Sequence, residues 1–354
     1  MTPLIIGISL HAVGASFAAL CYTPQKKTVA WSWQTYWLAQ AAVCWLLMPV
    51  LGAWLSTPHL GTVLSEAPKE AMLWCFLMGM AYGIGGTAFG IAIRYVGYSL
   101  TYALSVGLSC VLGTLLPPLV AGKLGDILYG NGSSWVLTGI LAGVAGIALC
   151  GIAGRYKETD IATRHINSAA NKAFSLSKGL PLCILAGILS AVYGFAIVQG
   201  QPIADVAAKY GAGNFQGNVI YLFTNSGAFV STLVYCVYLH KRHHTFGEYR
   251  RVMTARGKVS TPGLYFIMAA LTGVLWYGQF FFYAWAHRHM GNYKFTSWAI
   301  HMIMLVLFSS VAGLAMREWT GCNRKTINLL ATALTVLIAA VLILTYGNYL
   351  GGGE

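Results

Sequence analysis

Ten stretches of about twenty residues, nearly free of charge, follow one another along the chain, each long enough to cross a hydrocarbon core as a helix. They fall near 4–22, 34–55, 71–93, 99–121, 134–153, 179–199, 216–239, 262–286, 296–316 and 327–349. A backbone in lipid must satisfy its own N–H and C=O groups, so uncharged runs of this length have to be helical. Only 9% of the 354 residues are charged, where soluble domains carry about 25%. A soluble globular protein is excluded, and no soluble domain of useful size is left over. Met1 to Leu4 carry no basic n-region, so the first run is expected to be a retained span and not a removable signal peptide.

The net charge of +13 does not point to nucleic acid, because the 22 Lys and Arg are scattered in short connections between runs. They read as topology signals, and the partner they imply is the lipid bilayer. Odd-numbered connections hold 17 of them and even-numbered ones 5, mostly through Arg155, Lys157, Arg164, Lys172 and Lys178 in the fifth and Lys241, Arg242, Arg250, Arg251, Arg256 and Lys258 in the seventh. The positive-inside rule then puts odd connections in the cytoplasm and both termini outside. The eight Cys show no metal-type pairing and mostly lie in apolar runs; they are expected to be small buried hydrophobes, with no metal site.

A shift of 194 residues pairs Gly79 with Gly273, Tyr82 with Trp276, Phe89 with Tyr283, Arg94 with Arg288 and Gly97 with Gly291. A shift of 180 pairs Gly7 with Gly187 and Gly14 with Gly194, more weakly. Five spans are thus followed by five, and because five is odd the second copy enters from the opposite side. The expected fold class is an all-α membrane protein whose ten transmembrane helices form two inverted five-helix repeats. The division is 1–153 for the first repeat, 154–178 for a basic cytoplasmic linker, 179–349 for the second repeat and 350–354 for a tail. Gly79/Gly83, Gly86/Gly90 and Gly139/Gly143 have the small-xxx-small spacing that lets helix backbones approach closely in lipid.

Ionisable groups at bilayer depth are costly, so each is a functional candidate. No Asp or Glu falls clearly inside a run, which leaves His11 in span 1 and His301 in span 9 as the titratable candidates. Both lie roughly 8–11 Å from the outer face at 1.5 Å per residue, and His is the side chain that titrates nearest neutral pH. Span 8 carries Trp276-Tyr277-Gly278-Gln279-Phe280-Phe281-Phe282-Tyr283-Ala284-Trp285. Helical spacing puts Trp276, Gln279 and Tyr283 on one face. An aromatic platform beside an amide suits a sugar, whose C–H groups meet the ring and whose hydroxyls meet the amide. Tyr82 in span 3, Asn225 in span 7, and Ser105 with Ser109 in span 4 are weaker candidates; small polar residues also serve as helix contacts.

At this point the chain resembles the bacterial L-rhamnose/proton symporters of the drug/metabolite transporter superfamily. The matching stretches are His11 with Gly14-Ala15; Tyr22, Pro24, Lys26-Lys27 and Trp31-Ser32-Trp33; Gly83-Ile84-Gly85, Gly90, Arg94-Tyr95 and Gly97; Trp276-Tyr277 with Gln279 to Trp285; and Ser297-Trp298, His301 and Glu318-Trp319. The resemblance implies ten spans in the bacterial inner membrane and import of L-rhamnose driven by protons, with no cofactor. It leaves oligomeric state unknown. The candidate substrate-binding set is then Trp276, Tyr277, Gln279, Tyr283, Tyr82, Asn225 and Trp298, and the candidate coupling set is His11, His301 and position 34. Where the family has Trp-Ser-Trp-Glu, this chain has Trp31-Ser32-Trp33-Gln34. An amide mimics a protonated carboxyl and cannot release a proton.

An exporter of small metabolites or amino acids on the same ten-helix fold is the alternative, since fold does not fix substrate. An amino-acid carrier would be expected to offer a buried charge or broken-helix ends, and no acid lies inside a run. His-Glu-x-x-His and Gly-x-Ser-x-Gly are both missing from the sequence, so an intramembrane enzyme is not expected.

Overall fold

The computed structural model describes residues 3–96, 98–164, 175–253, 259–260, 262–291 and 294–351. Gly97, Lys172, Arg256, Lys258 and the tail Gly352–Glu354, which figure in the sequence reading, lie outside the described residues.

The apolar runs are helices. In the first half of the sequence they are α1 (Pro3–Leu20), α2 (Trp33–Ala41), a π-helical segment Ala42–Leu47, α3 (Met48–Ser56), α4 (Leu60–Glu66), α5 (Lys69–Val96), α6 (Tyr98–Val120), α7 (Leu124–Tyr129) and α8 (Ser133–Arg164). The second half holds α9 (Leu176–Gln199), α10 (Gln201–Lys209), α11 (Ile220–His243), α12 (Gly263–Arg288), α13 (Thr296–Ala315) and α14 (Arg324–Gly351). Among the described residues ten helical stretches are long and apolar enough to cross a membrane. Among the described residues the one strand pairing is that of β1 (Val252–Met253) with β2 (Val259–Ser260), antiparallel, in the α11–α12 connection.

Two findings differ from the sequence reading. The run expected to end at 153 continues as α8 to Arg164, so Arg155, Lys157 and Asp160 are helical and not part of a linker loop. Partners make this possible. Lys157 Nζ is 3.4 Å from Glu318 Oε2, and Asp160 accepts the Asn323 backbone N–H and the Asn323 and Thr326 side chains at the start of α14. Asp160 is thereby an N-terminal cap supplied by another helix, an anion at the positive end of a helix dipole. Asp160→Ala is expected to destabilise the protein by about 1–2 kcal/mol, read as a lowered detergent-solubilised melting temperature; an unchanged melting temperature would refute the capping role.

The second finding is the π segment between α2 and α3. Pro49 has no N–H to give to the Trp45 carbonyl four residues earlier, and its ring would collide with that carbonyl in a regular helix. The turn widens instead, and the Met48 N–H goes back five residues to Val43 O.

The chain divides into two compact units. Unit 1 comprises Met1–Ala19, Gly85–Phe195 and Trp285–Glu354, and unit 2 comprises Leu20–Ile84 and Ala196–Ala284. Small residues hold unit 1 together, as expected where lipid supplies no hydrophobic driving force. Gly139 and Gly146 of α8 make room for Leu344 and Leu337 of α14, and Gly143 makes room for Ile303 of α13. In unit 2, Gly79 and Gly83 of α5 lie against the backbone of α11 at Thr224 and Ala228, and Gly227 of α11 lies against Phe76. A Cβ at any of these three would collide with main chain. The large exposed apolar side chains, among them Trp54, Leu141, Ile267 and Leu342, cover the lipid side of these helices. All eight Cys are free and seven are buried.

The connections pair by parity. In unit 2 the first and seventh meet: Trp31 Nε1 donates to Glu248 O, and the Ser32 N–H to the Glu248 carboxylate. The second and sixth meet through Tyr210, whose hydroxyl donates to Glu66. That carboxylate holds the exposed Tyr210 phenol above its ordinary pKa.

Candidate functional site

Two groups of candidate residues stand out, one in each unit.

In unit 1, His11 of α1 and His301 of α13 face each other. Their ring centroids are 5.7 Å apart at an interplanar angle of 61°, and both side chains are almost wholly buried. α1 turns its small residues Gly7, Gly14, Ala15 and Ala18 to the same buried side as His11. At Gly7 the helix approaches the end of α12 so closely that a Cβ would lie 3.2 Å from Ala286 O. His301 sits in a stretch of α13, Thr296 to Val306, that is buried throughout. A third imidazole, His287 near the end of α12, is within electrostatic reach of His11. Two imidazolium ions at this separation would repel strongly in a low dielectric, so the two rings do not both carry a charge.

In unit 2 the span-8 residues join an aromatic box. Trp276 stacks on Tyr82, with centroids 6.1 Å apart and an interplanar angle of 16°, and Trp45 meets both rings at 5.1 and 6.3 Å. Phe280 closes the edge of Trp276 at 5.8 Å. Tyr277 meets Tyr221 edge-on, and its hydroxyl lies over Gly52 of α3, where no larger residue fits. Trp45 Nε1 and Tyr277 Oη are buried and have no hydrogen-bond partner among the described residues. Buried donors are normally satisfied, so these two stand out beside the stacked rings. Gln279 and Tyr283 are buried on the same helix and Asn225 is buried on α11.

The remaining candidates lie elsewhere. Trp298 is in unit 1, where its N–H goes to the Ser109 carbonyl at 3.0 Å and its ring covers Gly113 and Gly194. Ser109 and Ser105 bond to Ser190 and to the Cys183 carbonyl, which makes them helix contacts. Gln34 is buried at the start of α2 and donates to Thr245 Oγ1 at 2.9 Å.

Sequence reasoning missed Trp45, His287 and His240. The signal for Trp45 was Pro49 four residues on. His287 fell one residue past the expected end of span 8, and His240, expected in a loop, is the buried last turn of α11. Among the described residues no group of three or more His, Cys, Asp and Glu side chains is placed to hold a metal ion.

Residues 1–349 match the protein family described as L-rhamnose-proton symport protein (RhaT). An L-rhamnose-proton symporter of Mannheimia succiniciproducens is 31% identical over 347 residues, covering 97% of this chain and 98% of the relative. The L-rhamnose-proton symporter of Pectobacterium atrosepticum is 31% identical over 348 residues, 98% of each chain, and that of Cronobacter sakazakii 31% over 346 residues, 97% of this chain and 98% of the relative. Ten membrane-crossing helices and a full-length match agree: the chain belongs to the L-rhamnose-proton symport protein family, a family of transporters.

Proposed function

We propose that this chain imports L-rhamnose together with a proton across the bacterial inner membrane by alternating access, as its relatives' names imply. The observation that carries the coupling is the buried, facing pair His11 and His301. The pair takes a proton from the outside, and the protonated form favours the sugar-binding state. Coupling of this kind is a free-energy difference between two states that both ligands bias, so the sugar and the proton each raise the other's affinity. One charge moving through about 180 mV supplies roughly 4 kcal/mol at 2.3 kcal/mol per 100 mV. That sustains about a thousandfold accumulation at 1.4 kcal/mol per decade, so one proton per sugar suffices.

The sugar is assigned to the box of unit 2. The stacked faces of Trp276 and Tyr82 take the C–H face and the 6-methyl of the deoxyhexose, while Trp45 Nε1–H and Tyr277 O–H give hydrogen bonds to its hydroxyls. Gln279, Asn225 and Tyr283 offer the buried polar groups nearby in sequence and helix.

The inverted repeat and the drug/metabolite transporter superfamily placement are part of this reading. The compact units support the repeat: their boundaries recur at Leu20 and Ala196 and at Gly85 and Trp285, offsets of 176 and 200 residues that bracket the shifts of 180 and 194. Gly291, at the second Arg-x-x-Gly corner, has the positive φ of 56° that a tight reversal asks of glycine. The parity of the paired connections supports odd connections on one side, which the positive charge makes cytoplasmic, and both termini outside.

The test is uptake of labelled L-rhamnose into proteoliposomes. An inward proton gradient is expected to drive accumulation well above equilibrium, and its collapse by a protonophore to abolish it. Accumulation that ignores the gradient would overturn the coupling, and no movement of rhamnose at all would overturn the substrate.

A further inference from the structure

The end of α11 and the turn after it hold a hydrogen-bonded chain that one arrangement of its protons satisfies throughout. Gln34 Nε2 donates to Thr245 Oγ1 at 2.9 Å, and Thr245 Oγ1 is 2.7 Å from His240 Nδ1. On the other side of the ring, His240 Nε2 is 3.1 Å from Tyr249 Oη, which donates to the Thr35 carbonyl at 3.3 Å. A hydroxyl has one proton to give. Tyr249 gives its proton to Thr35, so it must accept from His240, which puts a proton on Nε2. Thr245 receives the amide proton of Gln34 on one lone pair; giving its own proton to a bare Nδ1 then satisfies every group, whereas an Nδ1–H would leave the Thr245 proton without an acceptor in this chain of bonds. His240 is held as the neutral Nε2–H tautomer.

We propose that His240 is a second proton-binding site of this carrier, and that Gln34, acting through Thr245, keeps it empty. A carboxylate at position 34 has no proton to give. Thr245 would turn its O–H toward the acid, Nδ1 would lose its donor, and the ring would satisfy both neighbours only by gaining a proton. The imidazolium would then give Nδ1–H to Thr245 Oγ1, which relays to the carboxylate, a chain charge-assisted at both ends. Position 34 therefore decides whether this end of the protein carries a proton.

The His240 ring is buried and stacks on Phe246 at 4.6 Å. The turn Phe246–Tyr249 brings Glu248 and Tyr249 to it, and α2 brings Gln34 and Thr35. Glu248 is the carboxylate brought near the ring, and one of its oxygens accepts the Ser32 N–H, Ser32 Oγ and Thr35 Oγ1 at 2.8, 2.8 and 2.6 Å, at the N-terminus of α2. On α11 itself, Cys236 lies one turn earlier, while Lys241, Arg242 and His243 are exposed. The π segment adds Cys44, a buried thiol, and α10 adds Asp205 and Lys209, both exposed. Gly200, the residue before α10, lies against Ile220 of α11, about 30 Å along the helix from His240.

The geometry stands without the transport reading, and only its bearing on coupling rests on it. The experiment is nitrogen-15 NMR of the histidine-labelled full chain in lipid nanodiscs at pH 7, with His240→Gln identifying the resonance. The native chain is expected to show a neutral ring protonated at Nε2. Gln34→Glu, close to isosteric, is expected to raise the doubly protonated fraction about tenfold or more, and Thr245→Val in that background to return it to neutral. An Nδ1–H tautomer or an imidazolium in the native chain, or no change in Gln34→Glu, would overturn the proposal. These spectra do not depend on sugar, so failure of rhamnose uptake strikes the transport reading and leaves this one standing.

Discussion

L-Rhamnose accumulation is expected to collapse from as much as about a thousandfold to about unity when His11 or His301 is replaced by Gln, because the proton site through which the gradient acts needs both rings. Binding and passive exchange should survive, since neither histidine belongs to the aromatic box. The pair is buried at 5.7 Å between ring centroids, so a protonated His11 and a protonated His301 exclude each other and loss of one removes half of a single-proton site. Glutamine keeps size and polarity, which limits the penalty of leaving buried neighbours without a partner. Measured in proteoliposomes, each variant should still catalyse counterflow of labelled against unlabelled sugar while failing to concentrate it against a pH gradient. Full gradient-driven accumulation in both variants would move the coupling proton away from this pair.

Loss of the Trp276 ring carries the second large effect. A pyranose face and a methyl group resting on that indole bury about 60–80 Å² of apolar surface, worth roughly 1.5–2 kcal/mol at 25 cal per Å². Trp276→Ala is expected to weaken apparent affinity by about 10–30-fold. The ring is also packing, since it touches Tyr82, Trp45 and Phe280, and its removal leaves a cavity costing about 3–5 kcal/mol of stability. Trp276→Phe separates the two roles, keeping most of the packing and only part of the platform. It should bind several-fold more weakly at nearly native melting temperature. Trp45→Phe and Tyr277→Phe each remove one buried donor and should cost about 2–12-fold through the lost hydrogen bond to the sugar. Native affinity in Trp276→Phe, Trp45→Phe and Tyr277→Phe together would place the sugar elsewhere.

Much of this was legible in the chain. An uncharged run of twenty residues has one outcome in lipid, so span number and helical state follow from composition and spacing. His11, His301 and the Trp276 to Trp285 run were also visible, because an ionisable or amide group in an apolar run is conspicuous against its neighbours. Their grouping was less so. Trp276, Gln279 and Tyr283 share a helix, and periodicity orders residues on one helix. It says nothing of Trp45, which reaches Trp276 from a different span through a turn widened by Pro49. Gln34 showed the same limit. Its departure from the family pattern could be read from the sequence, but its consequence depends on Thr245 and His240, more than 200 residues away along the chain.

The sequence by itself determined that the chain crosses the membrane ten times as helices, because the hydrocarbon core leaves a backbone no other way to satisfy its hydrogen bonds. It also determined which side chains stand out chemically along those helices, because each span can be read from its own residues. Only the tertiary structure decided which of them meet: His11 with His301, Trp45 and Tyr82 with Trp276, and Gln34 through Thr245 with His240. Helix contacts in lipid are made by close packing of small residues and by scarce polar bonds, with no hydrophobic gradient to mark one face over another. Which faces meet is therefore written in three-dimensional fit, at Gly79 and Gly227 against backbone and at Gly139 against Leu344.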